Sequence, residues 1–210
     1  MARILLVTTL VVLLAACSSV TGSGNPVSRS FELDGFTRID ASHGAEVAVT
    51  RGDAFSVNVE VDDNVADELD VSVSGDTLFV GLKVDSQINV TFRVQVTMPE
   101  LKGVSVSGGS RLRAVLAGED LAVNVSGGSR ATLTGTAGRV SINASGGSQA
   151  LLADLAAGDI NMEASGGSHV EVNSSGRVSG EASGGSSVVV SGSPSSVNVE
   201  TSGGASVKTP

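Results

Sequence analysis

The tetrapeptide Ser107-Gly108-Gly109-Ser110 returns at 126–129, 145–148, 165–168 and 183–186, and a sixth copy at 202–205 ends in Ala205. The first serines of successive copies stand 19, 19, 20, 18 and 19 residues apart. A short fixed period outranks any single-residue signal, because it means that one structural unit is built again and again. What that unit is follows from the residues around each copy. Three positions before the first serine stand Val104, Val123, Ile142, Met162, Gly180 and Val199; one before it stand Val106, Val125, Ala144, Ala164, Ala182 and Thr201. Five before it, from the second copy on, stand Leu121, Val140, Ile160, Val178 and Val197, and polar or small residues lie between. This is alternation with period two, a strand with one buried face. Five residues after the first serine come Leu112, Ala131, Ala150, Val170, Val188 and Val207, and seven after come Ala114, Leu133, Leu152, Val172, Val190 and Thr209. A second strand therefore follows each copy.

Each repeat reads as strand, Gly-Gly corner, strand and looser turn. A helix is excluded, since Gly-Gly every 19 residues would break it and Val, Thr and Ser dominate between. Aligned apolar columns also separate the segment from a flexible Ser/Gly linker. The economical solution is a right-handed parallel β-helix, a β-solenoid with coils of about 19 residues, in which equivalent residues stack at about 4.8 Å. Gly-Gly supplies a corner at which φ can be positive. Stacked serine hydroxyls are expected to hydrogen-bond up and down the ladder.

The start of the chain is of another kind. Met1-Ala2-Arg3 precedes an apolar run over 4–14, then Leu14-Ala15-Ala16-Cys17. The run is too short for a permanent membrane span and reads as an export signal over 1–16. Its end resembles a bacterial lipobox, which implies cleavage before Cys17 and lipidation of that residue, with the membrane as partner through the lipid. Cys17 is the only cysteine, so no intramolecular disulfide forms. Ser18 resembles the sorting position of lipoproteins sent to the outer membrane. Loss of residues 1–16 removes Arg3 and takes the formal charge from −9 to −10. That balance argues against nucleic acid and against anionic lipid surfaces as partners.

Residues 17–30, with Gly22, Gly24 and Pro26, read as a flexible tether, and the body as 31–210. Within it, 31–100 is expected to form less regular coils and 101–210 the regular ones. Ser42-His43-Gly44-Ala45 followed by 46–52 aligns with 107–118 as an early, degenerate coil. Phe55, Val57, Val59 and Val61 alternate inward; 71–82 and 88–98 read as strands, and Pro99 ends the second. Residues 62–70, Asp-Asp-Asn-Val-Ala-Asp-Glu-Leu-Asp, are the one helical turn or long loop, and they lack the glycine and terminal Glu of an EF-hand. All five Phe lie between 31 and 92, so larger core residues are expected in the N-terminal half. One continuous solenoid is the preferred organisation; two halves meeting near Pro99 are the alternative.

Three stretches together are similar to a bacterial family. They are Gly35-Phe36-Thr37-Arg38-Ile39-Asp40 with 45–53, then Leu78-Phe79-Val80, then Val96-Thr97-Met98-Pro99-Glu100-Leu101 running into Val104-Ser105-Val106-Ser107-Gly108. They resemble the "putative auto-transporter adhesin, head GIN domain" family, a domain of unknown function. The resemblance covers about Phe31 to the C-terminus and implies a right-handed β-helix in a secreted or lipidated protein. The family has no established catalytic residues, so none is implied.

The residues point the same way. His43 and His169 lie far apart and have no ligand-like neighbours, Gly-Gly-Ser is not a nucleophile elbow, and no phosphate loop is present. Carbohydrate enzymes of β-helical fold are the catalytic alternative, but the chain has no Trp and no Tyr for a sugar platform. Glu163, Glu181 and Glu200 align on adjacent coils and are the one candidate column for a divalent cation such as calcium; a solvated face is the favoured reading. The expectation is thus a non-catalytic, lipid-anchored structural or adhesin-like module with no cofactor, a protein or glycan surface ligand, and self-association through the solenoid ends. Lys208 and Pro210 would hinder such end-to-end contact.

Overall fold

The computed structural model describes residues 19–84, 86–118 and 120–209. They form a β-solenoid of about 6 turns with coils about 19 residues apart. Two sheets make up the walls. The 9-stranded entry sheet holds the strands that run into the corners, Ser196–Thr201, Arg177–Ala182, Ile160–Ala164, Val140–Ala144, Leu121–Val125, Gly103–Val106 and Arg38–Ala41, followed by Thr77–Leu82 and Leu69–Ser74. The 10-stranded exit sheet holds those that leave them, Ser206–Lys208, Ser187–Gly192, His169–Ser174, Gln149–Ala157, Arg130–Ala137, Arg111–Ala117 and Glu46–Arg51, followed by Phe92–Met98, Ser56–Asp62 and Pro26–Phe31.

The expected columns pair in register: Val104 with Val123, Val123 with Ile142, and Ile142 with Met162 in one sheet; Leu112 with Ala131, and Val170 with Val188, in the other. Their side chains fill one continuous core with Phe36 and Val57 of the N-terminal half. Coil length varies without loss of stacking. The register shifts between Leu152 and Ala156, and the bulge turns Leu155 into the core at 0% exposure.

Each tetrapeptide closes a turn. In the copies other than 145–148 the N–H of the fourth residue donates to the carbonyl of the first, as from Ser110 to Ser107 and Ser129 to Ser126, both at 3.2 Å. In the first two corners φ is positive at both glycines, as at Gly127 (59°) and Gly128 (75°), the sign pattern of a type I′ turn. From the third corner on only the first glycine is positive, as at Gly146 (67°), which is the pattern of type II′. The hydrogen bonding changes with it: Gly109 donates forward to Gly127, whereas Gly167 donates back to Gly146.

The serine ladder differs from expectation. The fourth-position hydroxyls of Ser110, Ser129, Ser148, Ser168 and Ser186 are buried, but those of Ser129, Ser148 and Ser186 bond to backbone groups of neighbouring coils, and those of Ser110 and Ser168 have no partner among the described residues. Ser148 Oγ donates to the Val125 carbonyl at 3.0 Å, and Ser129 Oγ accepts from Gly109 N–H at 3.1 Å. A strand edge always offers main-chain donors and acceptors, and the hydroxyl reaches them more readily than the hydroxyl one coil away.

The N-terminal half departs most. Residues 42–45 do form an early corner, with His43 at φ 57° in the place of the first glycine, and Glu46 pairs with Arg111 as aligned. Yet the coils do not stack in chain order. Arg38–Ala41 pairs on one side with Gly103–Val106 and on the other with Thr77–Leu82, and Glu46–Arg51 pairs with both Arg111–Ala117 and Phe92–Met98. The chain leaves the early coil, builds the layers beyond it, and returns over it. The outermost strands are antiparallel: Leu69–Ser74 closes the entry sheet, and Ser56–Asp62 then Pro26–Phe31 close the exit sheet.

Further differences follow from this cap. The segment 71–82 is a hairpin rather than one strand, turning at Gly75 (φ 61°). The segment 88–98 is broken after Ser86–Ile88, where Asn89 takes φ 50°. The tether reading of 17–30 is corrected for its described part: Ser19–Thr21 pairs with Ser86–Ile88, and Pro26–Phe31 is an edge strand of the body. Residues 62–70 contain a 3-10 helix, Asp63–Glu68, which buries Val65 and Ala66, and Asp62 is itself buried. Phe36 packs against Phe55 with the rings tilted at 58° and their centroids 4.9 Å apart, but Phe79 faces outward. Cys17 lies outside the described residues.

Candidate binding surface

Because strand residues alternate, each sheet presents its second set of side chains outward in columns that run along the solenoid. On the entry sheet one column reads Phe79, Asp40, Ser105, Asn124, Asn143, Glu163, Glu181, Glu200. Asn143 donates to Asn124 Oδ1 at 3.0 Å, so the amides form a ladder. A depression of about 370 Å³ follows this column past Asp40, Ser105, Asn124 and Asn143. Burial pushes the Asp40 carboxyl above its ordinary pKa, since desolvation penalises the charged form. Glu163, Glu181 and Glu200 do stand in register on successive strands and are exposed. Among the described residues no group of three or more His, Cys, Asp or Glu is arranged to hold a metal ion.

The two histidines occupy unrelated places. His43 is a corner residue whose Nδ1 lies 2.8 Å from Ser42 Oγ, and its carbonyl accepts from the Gln87 side chain. His169 stands on the outer face of the exit sheet, with Nε2 2.8 Å from Glu171 Oε1.

That exit face carries the densest charge. Its leading column is Glu60, Arg93, Glu46, Arg111, Arg130, Gln149, His169, Ser187. Arg93 Nη1 meets Glu60 at 3.0 Å, Arg93 Nε lies 3.8 Å from Glu46, and Arg111 Nη1 lies 3.4 Å from Glu46. The second column reads Gln95, Ala48, Arg113, Thr132, Leu151. The outward run of Arg111, Arg130, Gln149 and His169 is legible from the repeat. The contribution of Arg93, Glu46 and Glu60 is not, because it depends on the crossed stacking order.

Comparison with known proteins agrees with this architecture. A family model described as "Putative auto-transporter adhesin, head GIN domain" matches residues 35–194. A crystal structure of a "putative adhesin" from Bacteroides fragilis is similar with a TM-score of 0.75 at 18% identity, covering 91% of this chain and 100% of that one. A "putative adhesin" from Parabacteroides merdae gives 0.57 at 17% identity, covering 91% and 99%. A "putative lipid binding protein" from Parabacteroides distasonis gives 0.57 at 18% identity, covering 92% and 100%. No curated protein matches the sequence. At such identities the structures speak for a shared fold, whereas the sequence model spans most of the repeat body. The chain belongs to the family described as "Putative auto-transporter adhesin, head GIN domain".

Proposed function

We propose that this chain is a non-catalytic binding module of the cell envelope, tethered by lipid on Cys17 and presenting its flat sheet faces to a surface ligand. The observation that carries the reading is the registration of outward columns over successive strands of both sheets, which in the exit sheet holds for the columns next to the corners, ahead of the bulges. Such a surface binds by repetition along a wall rather than by enclosure of a small substrate. Membership of an adhesin family supports it, and the lipobox over Leu14-Ala15-Ala16-Cys17 supports the anchor. Ser18 directs the anchored protein to the outer membrane.

Two experiments test this. Mass spectrometry of the N-terminus and fractionation of wild type and Cys17→Ala check the anchor: the wild type runs with outer membranes, and the variant is released. Adhesion of the purified chain to whole cells checks the module. Turnover of any glycan substrate that disappears in Glu163→Gln or Glu181→Gln would make it an enzyme instead.

A further inference from the structure

We infer that the notch over Ala48 on the exit face is a binding site for a carboxylate-bearing polysaccharide, with Arg113 as its anion receptor. The inference rests on the reading of the chain as a binding module and names its ligand class. Ala48 stands in register between Gln95 and Arg113. Its methyl group is the shortest side chain in that column, and the gap it leaves is a depression of about 180 Å³. Gln95 and Arg113 form its ends, and Arg93, Glu46 and Arg111 run alongside.

The charges are arranged by role. Glu46 and Glu60 engage Arg93 and Arg111, which holds those two side chains along one edge. Arg113 has no such partner in register, since its neighbours are Ala48 and Thr132. One strand further, Arg130 spends its Nε on Gln149 Oε1 at 2.8 Å and keeps its terminal nitrogens. In a chain of net charge −9, four arginines against two glutamates make a local cationic field. The Glu163 column lies on the other sheet, about 10 Å away or more, which is a full screening length at physiological salt.

An arginine fork matches a planar carboxylate in two parallel hydrogen bonds. Gln95 and Thr132 offer an amide and a hydroxyl to sugar hydroxyls on either side. A folded protein partner would need a desolvated apolar or aromatic anchor pocket, and the apolar lining of the notch is the Ala48 methyl with Val47 and Val94, which are buried in the core. A linear acidic glycan needs no such anchor: one uronate fills the notch, and the chain runs on past Arg113 and across to the leading column, where it meets Arg130.

The test is binding of the full chain to polygalacturonate, with dextran as the neutral comparison, at 0.05 and 0.15 M salt by surface plasmon resonance. The expected result is salt-sensitive binding to polygalacturonate alone. Arg113→Glu removes the receptor, and Ala48→Leu fills the notch without changing charge. Each is expected to weaken binding about tenfold or more, the loss of one charge-assisted hydrogen-bonded pair, whereas Glu181→Gln leaves it unchanged. Ala48 and Arg113 are exposed, so melting temperatures near wild type establish that both variants are folded. Unchanged affinity in both variants, equal binding to dextran, or no binding to polygalacturonate each overturns the inference. The adhesion assay with whole cells decides the module reading separately.

Discussion

Three glycines, each replaced by alanine, separate the physical reasons for which this chain uses glycine. Gly180 pairs with Met162 at φ 140°, and a Cβ built there would lie 1.8 Å from the Met162 carbonyl oxygen, a backbone atom fixed in the sheet ladder. Its replacement adds the strain of a glycine-only conformation, about 1–3 kcal/mol, to overpacking of about 1–3 kcal/mol. The sum is about 2–6 kcal/mol. Gly128 sits at φ 75° with nothing within 4 Å of its Cβ position, so only the left-handed backbone cost of about 1–2 kcal/mol applies. Gly147 is the equivalent glycine one coil later, without positive φ and with open space around it. Alanine there loses nothing in the folded state and restricts the unfolded chain, a gain of about 0.4–1 kcal/mol. Urea unfolding of the full chain followed by circular dichroism reads the series, and 1 kcal/mol corresponds to about 2–4 °C in melting temperature for a domain of this size. The expected order of stability is Gly147→Ala, wild type, Gly128→Ala, Gly180→Ala. If Gly147→Ala costs as much as Gly128→Ala, the change of corner type is refuted. If Gly180→Ala stays within 1 kcal/mol of wild type, the close approach to Met162 is.

Other perturbations follow from the same geometry. The raised Asp40 pKa means that folding favours its protonated form: the native state keeps that advantage at pH below the ordinary carboxyl value of 3.8 and loses it as pH rises through the folded pKa. Asp40→Asn is therefore expected to raise the melting temperature at pH 7 and to change it little at pH 3, and a larger gain at pH 3 would contradict the assignment. Glu181 stands between Glu163 and Glu200, so Glu181→Gln relieves like-charge contact on both sides. The expected gain is a few tenths of a kcal/mol, shrinking in 0.5 M salt; a loss, or a wild-type melting point that rises with added calcium, would mark the column as a cation site. His43→Gly frees a left-handed corner from its side chain at the expense of the Ser42 contact. A net gain of up to about 1 kcal/mol is expected in thermal melts, and clear destabilisation would show that the imidazole contact dominates.

The parts of this fold that were readable in advance are those set within a single strand or turn. Alternation along Val140, Ile142 and Ala144 decides which side of a strand meets the core, and the pairing with Ile160, Met162 and Ala164 then puts like beside like. Positive φ at Gly108 and its equivalents follows from a turn that only glycine enters freely. Even the degenerate corner at His43 could be placed, since the residues after it carry the same pattern. The outward column Glu163, Glu181 and Glu200 was readable for the same reason.

What alternation does not specify is which strand lies beside which. Ile39 and Ala41, Leu78 and Val80, and Val94 and Val96 all present equivalent apolar faces, so any stacking order among those coils satisfies the pattern. The tertiary structure selected one in which the chain crosses back over its early coil, because that order buries Phe36, Phe92 and Met98 in a common core and leaves antiparallel strands to finish each sheet. The same choice drew residues 26–30 out of an expected tether and into the body. It also set Arg93 and Glu46 beside Arg111, and so made the notch over Ala48. Sequence alone determined the coil, its period and its inward face, since these depend on neighbours along the chain; the cap and the charged face depend on neighbours in space, and only the packed structure decided them.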